Sequence, residues 1–500
     1  MTSSPRRATT PRASRGGPLV VAIDVGSSSV RAGLYDLAGR PRRRAFAQVR
    51  YAPDTDLRGA VSIDPERLVA VLVEAVDGLV AVAGADLGRV AGVGTSCFLH
   101  SVAGLDGAGR PLTPLLTWAD TTSADAATDL RGRVDAAATW QATGAPIHAS
   151  YWPAKIVRLR AAEPGIRGFA GAPELLWRAL TGHWGTELSH ASGTGLLDRG
   201  TGEWHGPLLD VLGVARADLP PILPPATGAP LAGWAAARWP GLAAVPWFAP
   251  WSDASCGNVG LGGGPGGPAV LQLGTSGAMR LIADDPAPPI PVGLFAHRLA
   301  DGRSLVGGQL SEGGGVAAAV ARLLGGSPRT LESTAAALPA DGHGLTVLPF
   351  LAGERGPGYH ADARGVVAGL TLATRPVDLY RATVEAITLR FAAIDARLTA
   401  FRGDRPEVVA SGGAIARSTL LPDLLAAALG RPVTLSAEGE ASARGAALGA
   451  LSAVGLIASP AAVGAPPAAR RVEPRPEWAA ALAVARERQE RLYEAILGES

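Results

Sequence analysis

The same interruption of a hydrophobic run by a polar tip occurs at two distant places in the chain. Leu19 to Val25 is apolar except for Asp24, Gly26-Ser27-Ser28-Ser29 breaks the run, and Val30 to Tyr35 resumes it. Asp36 to Arg40 then supplies turn formers, so residues 18–35 predict a β-hairpin. Far downstream, Ala269 to Leu273, Gly274-Thr275-Ser276-Gly277 and Ala278 to Ile282 repeat the pattern. Gly274-Thr275-Ser276 falls on Gly26-Ser27-Ser28. One such hairpin opening each half implies an internal duplication with a boundary near residue 260. A cleft between the halves is then the expected ligand site.

Other segments follow helical or strand periodicity. Residues 65–83 predict a helix, 89–94 a strand, and 172–181 a helix stopped by Gly182. In the second half, 345–350 reads as a strand and 377–400 as a long amphipathic helix behind Pro376. Val408 to Ala410 is a strand, followed by a helix to Gly430, a strand over 433–435 and an Ala/Gly-rich helix from about 440. This alternation marks layered α/β domains. The expected organisation is a disordered tail over 1–17, domains over 18–260 and 261–455, and a C-terminal extension with a helix over 456–500.

Composition narrows the class. The 500 residues are 47% hydrophobic and 18% charged, with a formal charge of +2, which gives no general case for nucleic acid. Arg42-Arg43-Arg44 reads as a solvated edge strand rather than a binding patch. Two cysteines, Cys97 and Cys256, stand in loop-like surroundings and are too few for a disulfide framework or a closed zinc site. The apolar stretch 68–85 carries Glu74 and Asp77 at helical spacing, so it reads as an amphipathic helix and not a membrane span. Without a leader or a span, a cytoplasmic protein is expected.

Phosphate chemistry needs close amide donors, a hard oxygen ligand for Mg²⁺ and a base for the attacking hydroxyl. The two glycine- and hydroxyl-rich tips meet the first need. Asp24, at the end of a buried strand, meets the second or else caps its own turn. Arg31 is placed to reach a phosphate oxygen, or is a solvated strand residue. Asp253, in Pro250-Trp251-Ser252-Asp253-Ala254-Ser255, stands at the domain junction where a helix begins. It is the preferred base, with a helix N-cap as the alternative. Ser411-Gly412-Gly413, with Arg417, is the candidate adenosine site. Gly262, Gly264 and Gly267 fit the spacing of a dinucleotide fingerprint, but they precede a strand instead of following one, so an interdomain turn is expected there.

Ala22 to Arg31, Leu273 to Gly277, Phe350 to Pro357, and Ser411-Gly412-Gly413 with Arg417-Ser418 together resemble the FGGY carbohydrate kinases. That family belongs to the sugar kinase, heat-shock ATPase and actin superfamily, and the resemblance covers about residues 19–455. It implies an α/β fold of two related ribonuclease H-like (actin-like ATPase) domains with an interdomain cleft. It also implies ATP and Mg²⁺ as cofactors. Gly26, Ser27, Ser28 and Arg31 would hold the phosphates from one side and Gly274, Thr275 and Ser276 from the other. Asp24 would stand near Mg²⁺, Asp253 would act as base, and Gly412, Gly413 and Arg417 would form the adenine site.

By the same resemblance, the substrate meets His100, Trp118, Asp120 and Lys155, besides Asp253. Trp118 and Trp152 are candidates to stack on a sugar face. His100 and Lys155 are candidate cations for a carboxylated substrate. With Ser189 to Asp198, the set looks most like the gluconate kinase branch. Glu312, in the Gly307 to Gly315 segment, departs from the pattern and would oppose an acidic substrate. The expected partners are a small carbohydrate and ATP, with no nucleic acid or membrane, in a monomer or homodimer. The alternatives are a kinase of xylulose, glycerol or another polyol or ketose, and a non-catalytic nucleotide-switched binding protein on the same fold.

Overall fold

The computed structural model of the protein describes residues 16–498. Of the tail expected over 1–17, only Gly16 and Gly17 fall among the described residues; the Gly17 carbonyl accepts from Arg89 Nε at 3.0 Å. Leu19–Val25 is buried along its whole length, as a continuous apolar run requires of a strand covered on both faces. It pairs antiparallel with Ser29–Tyr35 and parallel with Val90–Cys97. Pro41–Arg50 extends the hairpin side, and Trp247–Phe248 lies beyond the parallel strand. Pro41–Arg50 is an edge strand whose Arg43 and Arg44 are exposed, as expected.

The second sheet is built in the same way. Ala269–Leu273 pairs antiparallel with Gly277–Ala283 and parallel with Val408–Ser411. Ser304–Leu310 follows on the hairpin side and Val433–Ser436 on the parallel side. In each sheet the first strand therefore has an antiparallel partner on one side and a parallel partner on the other, and the duplication inferred from the hairpins is real at the level of topology. The strand expected over 345–350 is shorter, Thr346–Leu348, and pairs with Val366–Ala368 outside the main sheet.

Helix α1 (Pro65–Ala83) opens with Asp64 accepting from the Arg67 amide and with Pro65 in its first turn. It buries Leu68, Leu72, Val76 and Leu79 against Ser29–Tyr35 and Pro41–Arg50. By length and composition it is apolar enough to cross a membrane; here its apolar stripe belongs to the core of the first sheet. α2 (Trp152–Ala162) and α3 (Ala172–Thr181) follow, the latter stopped by Gly182 in the left-handed conformation.

α4 (Asp253–Gly260) leads through the turn containing Gly262, Gly264 and Gly267 into the second sheet, so those glycines form a connection. α5 (Pro376–Arg402) is not the amphipathic helix expected, because every residue from Tyr380 to Ala392 is buried. Its polar members survive burial by pairing: Arg381 with Glu385, Arg390 with Glu354, and Asp395 with Arg431. The helix expected up to Gly430 is divided into Gly413–Arg417 and α6 (Leu421–Leu429).

α7 (Ala441–Ala453) lies within the second unit of the sequence but packs on α4 and on Leu19–Val25 and Val90–Cys97 of the first sheet. The α4–α7 crossing is so close that a Cβ on Gly445 would stand 1.9 Å from the Cys256 carbonyl oxygen. Cys97 ends a strand and Cys256 sits in α4, both free and buried, so the loop surroundings expected for them do not hold. The C-terminal extension is likewise no appendage. Ala468–Val472 pairs with Val433–Ser436, and α8 (Pro476–Leu497) packs on α5 and α6.

Candidate active site

Each polar tip closes with one short backbone bond. Gly26 N–H donates to Ser29 O at 2.9 Å, and Gly274 N–H donates to Ser276 O at 2.9 Å. Ser28 and Thr275 are exposed at their respective tips. Gly314 and Gly315 hold the second tip in place by donating to Gly274 O and Thr275 O.

Asp24 stands one residue before the end of its strand and is 7% exposed. Burial raises its carboxyl above the usual range, while Arg31 and Ser96 pull it back. Arg31 is partly exposed and already paired with two carboxylates. Its Nη1 donates to Asp24 Oδ2 at 3.0 Å and its Nε lies 3.2 Å from Glu440 Oε2, just before α7. The guanidinium thus ties the first hairpin to the segment entering α7.

Asp253 occupies the first position of α4, and Ser252 performs the capping by accepting from the Ser255 amide. The carboxylate is therefore released from the N-cap role. Burial pushes it up to about 6, with Arg280 lowering it and Asp24 raising it. A group of that affinity is ionised at neutral pH yet basic enough to take a hydroxyl proton. It lines a cavity of about 220 Å³ together with Gly274 to Gly277, His100, Trp118, Arg280, His297 and Arg355. That volume lies below the roughly 300–1,000 Å³ typical of drug-sized sites and suits a small polyhydroxy compound.

A separate groove of about 610 Å³ is lined by Gly412, Gly413, Ile415, Pro422 and Leu435. Its apolar walls and paired glycines suit a flat base. Gly412 also rests on Leu273, the residue preceding the second tip, so this groove adjoins the Gly274–Ser276 turn. Arg417 is exposed, with Nη1 near Gly413, and is not part of the groove lining.

The FGGY family of carbohydrate kinases describes both halves of this molecule: its N-terminal domain matches residues 19–260 and its C-terminal domain residues 269–454. The chain belongs to that family. Among FGGY relatives, it is 26% identical to the gluconokinase of Bacillus subtilis (strain 168), over 88% of either chain. It is 31% identical to the xylulose kinase of Streptomyces rubiginosus, covering 89% of this chain and 90% of that one. A gluconate kinase structure from Lactobacillus acidophilus superposes with a TM-score of 0.87 at 26% identity, covering 96% and 98% of the two chains.

Within this FGGY fold, several residues expected to meet the substrate have other work. Lys155 is 0% exposed and lines neither cavity. Its Nζ donates to His100 O and to Thr117 O, both at 2.7 Å. It is thus neither a surface ion-pair residue nor a free cation, but a tie between two wall segments. Burial lowers it to about 7. His100 does line the cavity, but burial drives its imidazole well below the usual value, so it is neutral. Its Nδ1 is 2.8 Å from Gly193 O, which can only accept, so Nδ1 carries the proton and Nε2 is left as an acceptor.

Asp120 lines an adjoining cavity, with its oxygens accepting from Thr122 and the Val61 amide. Trp118 borders both cavities beneath the Arg355 guanidinium, which is 4.9 Å from its ring centroid. Trp152 is a core residue and offers no sugar platform. Glu312 is 0% exposed, with no partner for either oxygen, and burial raises it to about 8. It is therefore protonated at neutral pH and does not oppose an acidic ligand by charge.

Among the lining residues given no role from sequence are Arg280, His297, Gln309 and Arg355. Arg280 carried a signal, as a charged residue inside an otherwise apolar strand, two positions from Ala278 on the same face. His297 and Gln309 lie on strands that the sequence pattern did not mark, and only the fold brings them to the cleft.

Proposed function

We propose that Asp253 is the general base of this ATP-dependent carbohydrate kinase and that the acceptor is a hydroxyl of a small sugar or sugar acid. The single observation that carries this reading is the position of Asp253. Its uncapped carboxylate lines the same small cavity as the Gly274–Ser276 turn. Acceptor hydroxyl and γ-phosphoryl group then meet beside the base. The Gly26–Ser28 turn supports the phosphates from the other domain, and the Gly412–Gly413 groove receives the adenosine.

Asp24 raises the proton affinity of Asp253, a repulsion that a divalent cation would relieve. Asp24 is accordingly the residue that would hold Mg²⁺ together with the phosphates. Bound there, the ion would neutralise charge developing on the transferring group. The protein's own part is to orient the hydroxyl, accept its proton at Asp253 and exclude water from the closed cleft.

Gluconate is the first candidate acceptor, supported by the gluconokinase relatives and by the cationic cavity wall. Xylulose is the second, supported by the 31% identity to a xylulose kinase. A nucleotide switch without catalysis has no use for a base in the cavity. ADP release measured with gluconate, xylulose and glycerol tests the reading. A substrate-dependent rate that Asp253→Asn abolishes is expected, and equal rates for both proteins would refute it.

A further inference from the structure

Two cations and one carboxylate face the cavity: Arg280, Arg355 and Asp253. Of the buried arginines elsewhere in the second domain, Arg381, Arg390 and Arg431 have a carboxylate partner, and Arg444 is satisfied by the carbonyls of Gly260 and Gly464. The cavity arginines have no carboxylate in hydrogen-bond contact. Arg355 lies on the Trp118 face and donates to Gln309. Arg280 donates from Nη1 to the neutral Gln272 Oε1 at 2.9 Å, and its buried Nε has no partner. Burying a cation and an unmade donor is costly unless an anion arrives.

Space is left for the Arg280 side chain. Gly307 is its neighbour on the adjacent strand, where a Cβ would lie 2.7 Å from Arg280 Cγ. On the next strand across, His297 is 1% exposed and neither ring nitrogen has a partner. Its ring is stacked on Phe295 at 4.5 Å, which fixes its plane. Burial and the cations around it hold it neutral, so it offers one N–H donor.

We propose that Arg280 and His297 form an anion-recognition end of the substrate cavity and select acceptors that carry a carboxylate. The inference rests on the kinase reading above and narrows its substrate to a sugar acid. Strand register separates this end from the phosphate turn. Gly277 adjoins the turn, Arg280 is three residues further on, and His297 pairs with Leu305, itself opposite Ile282. At roughly 3.4 Å per residue, Arg280 is about 10 Å along the strand from Gly277, and Ile282, at the level of His297, about 17 Å. The anion that Arg280 and His297 await thus belongs to the far end of the acceptor and not to the γ-phosphate.

Calorimetric binding of gluconate, of glucitol as a neutral chain of equal length, and of a non-hydrolysable ATP analogue tests this. Wild type should bind gluconate at least about tenfold more tightly than glucitol. Arg280→Met and His297→Phe should each weaken gluconate by roughly tenfold or more, glucitol by less than about threefold, and the nucleotide not at all. Arg280→Lys should retain part of the preference, which separates lost charge from lost folding. Equal wild-type affinities, or variants that weaken the ATP analogue while keeping the acid-to-neutral ratio, would overturn the proposal. Absence of ADP release with every acceptor would instead strike the kinase reading, because the binding ratio needs no turnover.

Discussion

Tyr493 Oη donates to Glu354 Oε2 at 2.7 Å, joining the last helix of the chain to the loop that carries Arg355. Glu354 is 0% exposed and also accepts from Arg390 and from the Gly358 amide. The C-terminal extension therefore braces the cavity wall from behind. Tyr493→Phe is expected to cost about 1.5–3 kcal/mol of stability, the usual worth of a hydrogen bond to a charged group. It should also raise KM for the acceptor several-fold with less effect on kcat. Urea unfolding and steady-state kinetics check both, and an unchanged KM would confine α8 to a purely structural role.

Asp253→Asn should abolish turnover, leave nucleotide binding intact and make the free protein more stable. The carboxyl is raised in the folded state from 3.8 to about 6, so the folded protein holds this proton more tightly than the unfolded chain. The stabilisation from that proton is present below pH 4 and is lost as pH rises towards 6. Above pH 6 the ionised group is a net penalty on the order of 3 kcal/mol, which the amide avoids. The melting-temperature gain of the variant should therefore be larger at pH 8 than at pH 4. Wild-type kcat/KM should fall as pH drops through about 6, because the base becomes protonated.

How much of this was legible in the chain can be judged residue by residue. The hairpins, α1, α3 and the place of Asp253 follow from local pattern, because buried strands and capped helices leave continuous or 3.6-periodic signals. The extent of α5 follows too, but not its burial on all sides, since Arg390 and Asp395 pair with Glu354 and Arg431 outside the helix. The same limit applies at the cavity. Asp24 ends a recognisable strand and Gly274 and Gly412 sit in recognisable turns, whereas His297 and Gln309 depend on strand register across the second sheet. Lys155 shows the converse error. Its residue type suggested a ligand for an acid, but the carbonyls that consume it, His100 O and Thr117 O, are invisible until the fold is known.

The α4–α7 crossing links the two domains, and it is where closure of the cleft should be sensitive to volume. If the two polar turns, about 250 residues apart, hold one triphosphate as proposed, they must converge on it. Small-angle scattering should therefore show a smaller radius of gyration with ATP analogue and acceptor bound than without them. Gly445→Val forces apart helices in backbone contact, since its Cβ meets the Cys256 carbonyl. It should lower stability by about 1–3 kcal/mol, the typical cost of overpacking, and weaken the contraction. A full contraction by the variant would show that the crossing does not govern closure.

Lys155→Met separates wall construction from charge recognition. At its lowered affinity of about 7, much of the side chain is neutral at physiological pH. A neutral amine has two N–H groups, and His100 O and Thr117 O take two. Methionine fills the volume but leaves His100 O unpaired, at about 1–3 kcal/mol, and Thr117 O with the Asp120 amide alone. The cost should appear as lost stability and as a looser cavity wall on both sides of the cleft, where His100 and Trp118 stand. Such a defect is blind to the charge of the acceptor. Lys155→Met should therefore lower kcat/KM for gluconate and for a neutral sugar by similar factors, keeping their ratio within about twofold. Arg280→Met should change that ratio by roughly tenfold. If Lys155→Met alone collapsed the preference for the acid, Lys155 would be reinstated as a cation that meets the substrate.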